Sequence, residues 1–194
     1  IDQWEAEFKK NSKLASHIVK LKGTGAKRLK LIKENLDTPK IFIANYETML
    51  MEEPHRLLIG RVAFLVCDES HKLKNIQAGR TKAVIQIADR SERRLILTGS
   101  PILNSPMDIF SQYRILDKGA SFGTNFFVFR GKYFYDRNAG MPPQSYFPDY
   151  RPRPGIDKEL NKIIYQKALK ADKKDCLDLP PLVKVKIPVE MTPT

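Results

Sequence analysis

The run Val62-Ala63-Phe64-Leu65-Val66-Cys67-Asp68-Glu69-Ser70-His71 decides how the chain is read. Six consecutive apolar residues break off at two carboxylates. Such a segment lacks the alternation of a half-exposed strand, and its expected place is the interior of a parallel sheet covered on both faces. A second strand, Arg94 to Thr98 with apolar Leu95-Ile96-Leu97, ends in Thr98-Gly99-Ser100-Pro101. Working outward, His17 to Leu21 and Lys40 to Asn45 also read as strands, while Gly25 to Asn35, Tyr46 to Ile59 and Ile76 to Ala88 read mainly as helices. Strands separated by helical spacers predict βαβ units and a parallel sheet. The expected fold class is α/β, with helices on both sides of the sheet in three layers.

The rest of the chain is punctuated by proline. Four of the 13 prolines precede residue 140 and nine follow it, from Pro142 to Pro193. Ser105-Pro106-Met107-Asp108 has an N-cap residue, a proline at the first helical position and an acid at the third, and predicts a helix from Pro106 to about Leu116. The aromatic stretch Phe122 to Tyr135 reads as core-facing, as short helices or as an extra strand. Met141 to Gly155 reads as a loop, Ile156 to Lys170 as a helix, and Leu179 to Val189 as a strand. Residues 1–120 are therefore expected to form one lobe, 121–178 a helical and Pro-rich extension, and 179–194 a connection onward.

Composition sets bounds on function. The 194 residues hold 34 Lys and Arg against 22 Asp and Glu, a net charge of +12, with 42% hydrophobic residues. That balance excludes an acidic solvating tail and fits a globular domain. The longest apolar run, Val62 to Cys67, is far short of the roughly 20 residues of a membrane span, so no membrane partner is expected. Two cysteines without a Cys-x-x-Cys spacing signal neither a disulfide framework nor a zinc site. The first residue is not Met and falls inside a helical pattern, which suggests an excerpt of a longer polypeptide.

Chemistry concentrates at the ends of the two apolar runs. Adjacent carboxylates at the carboxyl edge of a parallel sheet sit where α/β proteins bind ligands, and both stay ionised at low cost only beside a cation. Mg²⁺ with phosphate is the common one. The plainer alternative is an acidic N-cap of the next helix, and His71 alone reads as a hydrogen-bonded structural residue. Thr98, Gly99 and Ser100 could sense phosphate or bond the neighbouring carboxylates; the alternative is an ordinary strand-to-loop turn.

Together these segments carry a resemblance. Asp68-Glu69-Ser70-His71 followed by Lys72-Leu73-Lys74-Asn75, then the run LTGSPILN from Leu97, resemble motifs II and III of superfamily-two helicases, specifically the SWI/SNF-type ATPases. Trp4 and Glu7-Phe8 resemble the segment after that family's first phosphate-binding helix. IFIANYETM (Ile41 to Met49) resembles its motif Ib, Asp108 to Leu116 its helix after motif III, and LDLPPLVKVKIPVEMT its stretch before the second lobe. The agreement runs in order along nearly the whole chain.

The resemblance implies a RecA-like lobe that closes with a second such lobe on ATP and Mg²⁺, with double-stranded DNA across both and DNA-bound protein complexes as possible objects. Position by position, Asp68 resembles the Mg²⁺-anchoring acid and Glu69 the residue that activates water. Ser70 and His71 resemble the coupling end of motif II, and Thr98, Gly99 and Ser100 the relay of motif III. Asn45 and Tyr46, with Glu47, match the motif Ib turn, whose implied partner is DNA backbone. Ser70 stands where the family has Ala or Gly, Ser100 where it has Thr, Leu103 where it has Gln, and Phe110 where it has Trp. The signature G-x-x-x-x-G-K-[ST] does not occur: Gly131-Lys132 is followed by Tyr133, and Gly23 to Lys27 only imitates it. The phosphate loop is expected upstream of Ile1 and the arginine finger downstream of Thr194, so the fragment alone is expected to be inactive.

The basic excess agrees with a polyanionic partner. Residues 1–40 carry ten Lys and Arg against five acids, and residues 151–174 carry eight against three. Each neutralised phosphate releases counterions and gives sequence-independent affinity. Lys72 and Lys74, beside motif II, are the best placed, with Arg151 and Arg153 next. Rival readings are a strand-separating helicase, the motor subunit of a restriction system, and a nucleic-acid-binding module with a degenerate ATPase. A bacterial or viral source implies the cytoplasm, which the short connections favour, and a eukaryotic source the nucleus.

Overall fold

The structure, a computed structural model, describes residues 1–102 and 105–171. The chain divides into two compact units, Ile1–Pro154 and Gly155–Thr194. In the first, the expected strands and helices follow one another in βαβ order. Strand β1 (Ile18–Lys20) pairs in parallel with β2 (Ile41–Ile43), and β3 (Phe64–Cys67) pairs in parallel with β4 (Arg93–Ile96). Helix α1 (Asp2–Asn11) precedes them, α2 (Gly25–Lys33) crosses between the first pair, and α4 (Gly79–Arg90) crosses between the second. These are mixed α/β layers with parallel sheets, as the spacing predicts.

Local chemistry sets the boundaries. Thr24 caps α2 by accepting from the Lys27 amide. The segment read as one helix from Tyr46 to Ile59 is two pieces, a 3₁₀ turn at Tyr46–Leu50 and α3 (Glu52–Leu58), broken where Met51 turns extended. Ser105 accepts from the Met107 amide and opens a 3₁₀ turn at Pro106–Asp108 that runs on into α5 (Ile109–Asp117). Helix α5 ends at Lys118 and Gly119, with φ of 60° and 89°. A Cβ on Gly119 would lie 2.7 Å from the Gly123 carbonyl oxygen, so only glycine fits that turn.

Two core clusters meet through shared residues. One gathers Val19, Leu21, Ile32, Leu58 and Ile87; the other gathers Cys67, Leu73, Val84, Ala88 and Ile115. Met49 and Leu65 pack against both. Burial of this apolar surface is the main favourable term, roughly 25 cal/mol per Å² removed from water.

The expectation that Val62–Cys67 is covered on both faces is corrected. Leu65 and Cys67 face the core, whereas Phe64 and Val66 on β3, and Leu95 on β4, are 55%, 44% and 42% exposed. In register, Val66 stands beside Leu95 and Phe64 beside Arg93, so among the described residues one face of the pair is open. The run is apolar because of what its residues are; what covers a face is set by elements distant in sequence.

The aromatic stretch is both things the sequence left open. Helix α6 (Phe126–Tyr133) runs directly into β5 (Phe134–Asp136), which pairs antiparallel with β6 (Tyr150–Pro152) inside the segment read as loop. Phe110, Phe122, Phe126, Phe129, Tyr133 and Phe134 form a connected set of rings, with centroid separations such as 5.0 Å for Phe110–Phe129 and 5.1 Å for Phe129–Tyr133. In the second unit α7 (Ile156–Ile164) carries Ile156, Leu160 and Ile164 on one face. Among the described residues no helix is long and apolar enough to cross a membrane. The expected strand at Leu179–Val189 lies outside the described residues.

Phe110 is fully buried and brings α5 into the ring cluster through Phe126 and Phe129. Phe110→Ala is expected to cost about 3–5 kcal/mol, read as a shift in the urea midpoint at unchanged slope.

Candidate functional site

Strand pairing does not stop at Cys67 and Ile96. The Leu97 amide donates to the Cys67 carbonyl at 2.9 Å, and the Ser70 amide donates to the Leu97 carbonyl at 2.9 Å. The loop after β3 is thereby laid against the loop after β4, and Asp68 to His71 stand beside Thr98 to Ser100.

Glu69 sits in the left-handed region, at φ 50° and ψ 48°. A non-glycine residue there costs on the order of 1 kcal/mol or more, and such strain collects at functional turns. The conformation is held because the Glu69 amide donates to Asp68 Oδ1 at 2.9 Å and its carbonyl accepts from the Lys72 amide at 2.9 Å. The turn throws both carboxylates outward, where Asp68 and Glu69 are exposed.

Each carboxylate has a defined partner. Trp4, the only tryptophan, donates from Nε1 to Asp68 Oδ2 at 2.8 Å. Helix α1, which buries no residue, is brought there by Glu5–Lys20 at 2.5 Å and by an ion pair of Asp2 with Lys22. Glu69 Oε2 lies 3.1 Å from His71 Nδ1. The same Nδ1 lies 3.3 Å from Thr98 Oγ1, whose hydroxyl donates to the Ser100 carbonyl at 3.0 Å and accepts from the Ser100 amide at 3.2 Å. Thr98 uses its one hydroxyl hydrogen on the Ser100 carbonyl, so Nδ1 is the donor in the bond between His71 and Thr98. A continuous path therefore links Glu69 through His71 to Thr98 and Ser100. Gly99 is exposed between them.

Ser70 points the other way. Fully buried, it donates to Gln112 Oε1 at 2.8 Å, and Gln112 Nε2 donates to the carbonyls of Pro101 at 2.6 Å and Asp108 at 3.0 Å. Motif and spacing do not single out Gln112. One signal for it does exist in the sequence: a polar residue among Ile109, Phe110, Tyr113 and Ile115 on the buried side of α5 demands partners.

The residues expected to meet DNA separate into two groups. Asn45 and Lys72 are exposed. Tyr46 instead turns inward and donates its hydroxyl to the Asp68 carbonyl at 2.6 Å, with burial pushing its pKa well up. Lys74 lies 3.4 Å from Asp108 Oδ2, and the Lys74 carbonyl accepts from Ser111 Oγ at 2.8 Å. Both hold the motif II loop onto the lobe. Cys67, buried beneath the site, has its thiol pushed up to about 12 by desolvation.

With this geometry in place, comparison with known proteins gives the class. The family model described as the SNF2-related domain matches residues 1–194, and the chain belongs to that family. It is 33% identical over 78 residues to the Drosophila melanogaster SWI/SNF-related matrix-associated actin-dependent regulator of chromatin subfamily A-like protein 1, covering 40% of this chain and 10% of that protein. It is 32% identical over 122 residues to the DNA repair protein RAD5 of Kluyveromyces lactis, covering 60% of this chain and 11% of that protein. The structure is similar to the Sulfolobus solfataricus SWI2/SNF2 ATPase core in complex with dsDNA, with a TM-score of 0.64 and 26% identity, over 93% of this chain and 34% of that one. The chain thus spans about a tenth of these curated relatives and about a third of that ATPase core. The fold is that of a RecA-like SNF2 ATPase core, and the domain is helicase-like.

Three outcomes follow from the site. Ser70→Ala leaves Gln112 Oε1 buried without its donor and is expected to cost about 1–3 kcal/mol in urea unfolding. Asp68→Asn is expected to change the emission maximum of Trp4, because the indole N–H loses a charged acceptor. At pH 8 the Cys67 thiol stays protonated and buried, so iodoacetamide is expected to leave the Cys67 peptide unmodified in the folded chain and to label it in urea, as read by mass spectrometry.

Proposed function

We propose that the chain is the greater part of the first lobe of a DNA-dependent ATPase that, joined to a second RecA-like lobe, moves on double-stranded DNA and remodels DNA-protein complexes. Residues 1–120 are the lobe, 121–178 the extension between lobes and 179–194 the start of the connection. The observation that carries this reading is the Asp68-Glu69 pair, turned outward at the carboxyl edge of β3 and linked through His71 to the Thr98 loop.

The donor set fits Mg²⁺ bound together with a nucleotide. Among the described residues no group of three or more His, Cys, Asp or Glu side chains is placed to hold a metal. Mg²⁺ in nucleotide sites keeps several waters and takes one or two carboxylates plus phosphate oxygens, which is what an outward Asp68 offers. ATP·Mg²⁺, when bound, supplies the γ-phosphoryl group and the cation that balances its charge.

The chain's own residues then divide the work. Asp68 would hold the metal, its orientation set by the Glu69 amide and the Trp4 indole. Glu69 would orient a water and take a proton from it on a carboxylate oxygen. His71 Nδ1, 3.1 Å from that carboxylate and hydrogen-bonded to Thr98, ties the position of Glu69 to the Thr98–Ser100 loop. Asn45 and Lys72 would lie against DNA phosphates. Because the chain contains no G-x-x-x-x-G-K-[ST] cradle, it is proposed to hydrolyse ATP very slowly, if at all, by itself.

The test is ATP turnover by the full-length polypeptide carrying this chain, with and without duplex DNA. Wild type is expected to be stimulated by DNA, and Glu69→Gln to lose about two or more orders of magnitude. Turnover indifferent to DNA and to Glu69 would sink the motor reading and leave a DNA-binding module on a motor scaffold.

A further inference from the structure

The β5–β6 hairpin and its connecting loop lie outside the site described above, and their exposed chemistry has no role in it. In the antiparallel register Phe134 stands opposite Pro152, Tyr135 opposite Arg151 and Asp136 opposite Tyr150. Phe134 is buried against Phe129, so its face is the inner one. Alternation then puts Tyr135, Arg137, Asp149, Arg151 and Arg153 on the outer face. That face carries three arginines and one acid.

The acid fixes the arginines without hiding them. Asp149 meets Arg137 Nε at 3.1 Å and Arg151 Nε at 2.9 Å, while the two side chains remain 62% and 53% exposed. Arg153 donates to the Gly131 carbonyl at 3.1 Å and is also exposed. Tyr135 between them is 42% exposed.

The loop beyond is built. Asp136 accepts from the Asn138 amide at 3.0 Å, from the Asp149 amide at 2.9 Å and from the Tyr146 hydroxyl, and these bonds, the Tyr146 one foremost, hold its carboxyl below the usual range. Asn138 Nδ2 donates to the Phe147 carbonyl at 2.8 Å, and the Arg137 amide closes the loop on the Asp149 carbonyl at 2.9 Å. What this framework presents to solvent is Phe147, 76% exposed.

Arginines at fixed spacing match phosphates, and exposed rings match base faces. In an intact duplex the base faces are stacked on one another and offer nothing to Phe147 or Tyr135. We propose that the hairpin is a second DNA contact that engages an unpaired strand, with Arg137, Arg151 and Arg153 on phosphates and Tyr135 and Phe147 on bases. It rests on the reading of the chain as part of a DNA motor and adds branched or partly single-stranded DNA to its substrates.

The experiment measures binding of the full-length polypeptide carrying this chain to three fluorescein-labelled DNAs of matched sequence: a single strand, a blunt duplex, and a fork with single-stranded arms. Phe147→Ala is expected to weaken binding to the single strand and the fork about five- to twentyfold and to leave the blunt duplex within about twofold. Phe147→Tyr should restore it. Arg137→Gln with Arg151→Gln is expected to lower the salt slope on the single strand by about 1.4, two phosphate contacts at about 0.7 each. Melting curves run in parallel separate these effects from misfolding. Wild-type affinity of both variants for the single strand overturns the proposal, as does an equal loss on the blunt duplex, or wild-type binding to poly-glutamate as tight as to the single strand. Wild-type binding to no DNA of any form overturns the DNA reading itself; duplex binding with a silent Phe147→Ala overturns the hairpin proposal alone.

Discussion

Two backbone hydrogen bonds, Leu97 to Cys67 and Ser70 to Leu97, are the constraint on which the rest of the site depends. They carry the pairing past the ends of both strands, to Leu97 after β4 and to Ser70 after β3. Without them the acidic loop and the Thr98 loop would be separate turns at the end of a sheet. With them His71 falls within reach of both Glu69 and Thr98, so one imidazole nitrogen serves two loops. The left-handed Glu69 belongs to the same constraint, because the chain must turn sharply at that point to return the Ser70 amide to β4.

The buried Ser70–Gln112 bond locks that arrangement from below. Gln112 uses its oxygen for Ser70 and its two amide hydrogens for Pro101 and Asp108, so one side chain ties the motif II loop, the segment after motif III and the start of α5. Ser70 departs from the small apolar residue the family resemblance implies at that position. The departure has a physical counterpart: a hydroxyl is tolerated in a fully buried place because an acceptor is provided 42 residues downstream. A satisfied polar network of this kind specifies one geometry, since any alternative leaves several buried groups unpaired.

How much of this the sequence discloses follows from the range of the interactions involved. The four strands and α2 are legible, because each is set by local apolar runs and by caps such as Thr24. Although each singly also reads as an ordinary cap or turn, the motif loops are legible through the family resemblance that their residues carry together. The break at Met51 and the open face of Phe64, Val66 and Leu95 are not, because burial depends on elements far apart in the chain. Nor are the inward turns of Tyr46, which the family resemblance places with the DNA-facing residues, and of Lys74, which its place beside motif II puts there; each is bonded to the site instead. The partner of Trp4 lies 64 residues away, and nothing near Trp4 in sequence announces it.

The aromatic stretch shows how one composition is divided between two tasks. Phe126, Phe129, Tyr133 and Phe134 recur on one side as α6 passes into β5, and they join Phe110 and Phe122 in a ring cluster that anchors α6 and β5 to α5. Phe127 and Tyr135, one residue out of step, face solvent at 61% and 42%. Arg130 extends across the boundary, its guanidinium 4.0 Å from the Tyr150 ring and 5.2 Å from that of Phe127. The change of period from about 3.6 to about 2 at Tyr133–Phe134 decides which ring goes inside. With these rings packed inside, the outer face of the hairpin is left to the arginines, which Asp149 and the Gly131 carbonyl hold. Core and surface there are consequences of the same turn of the chain.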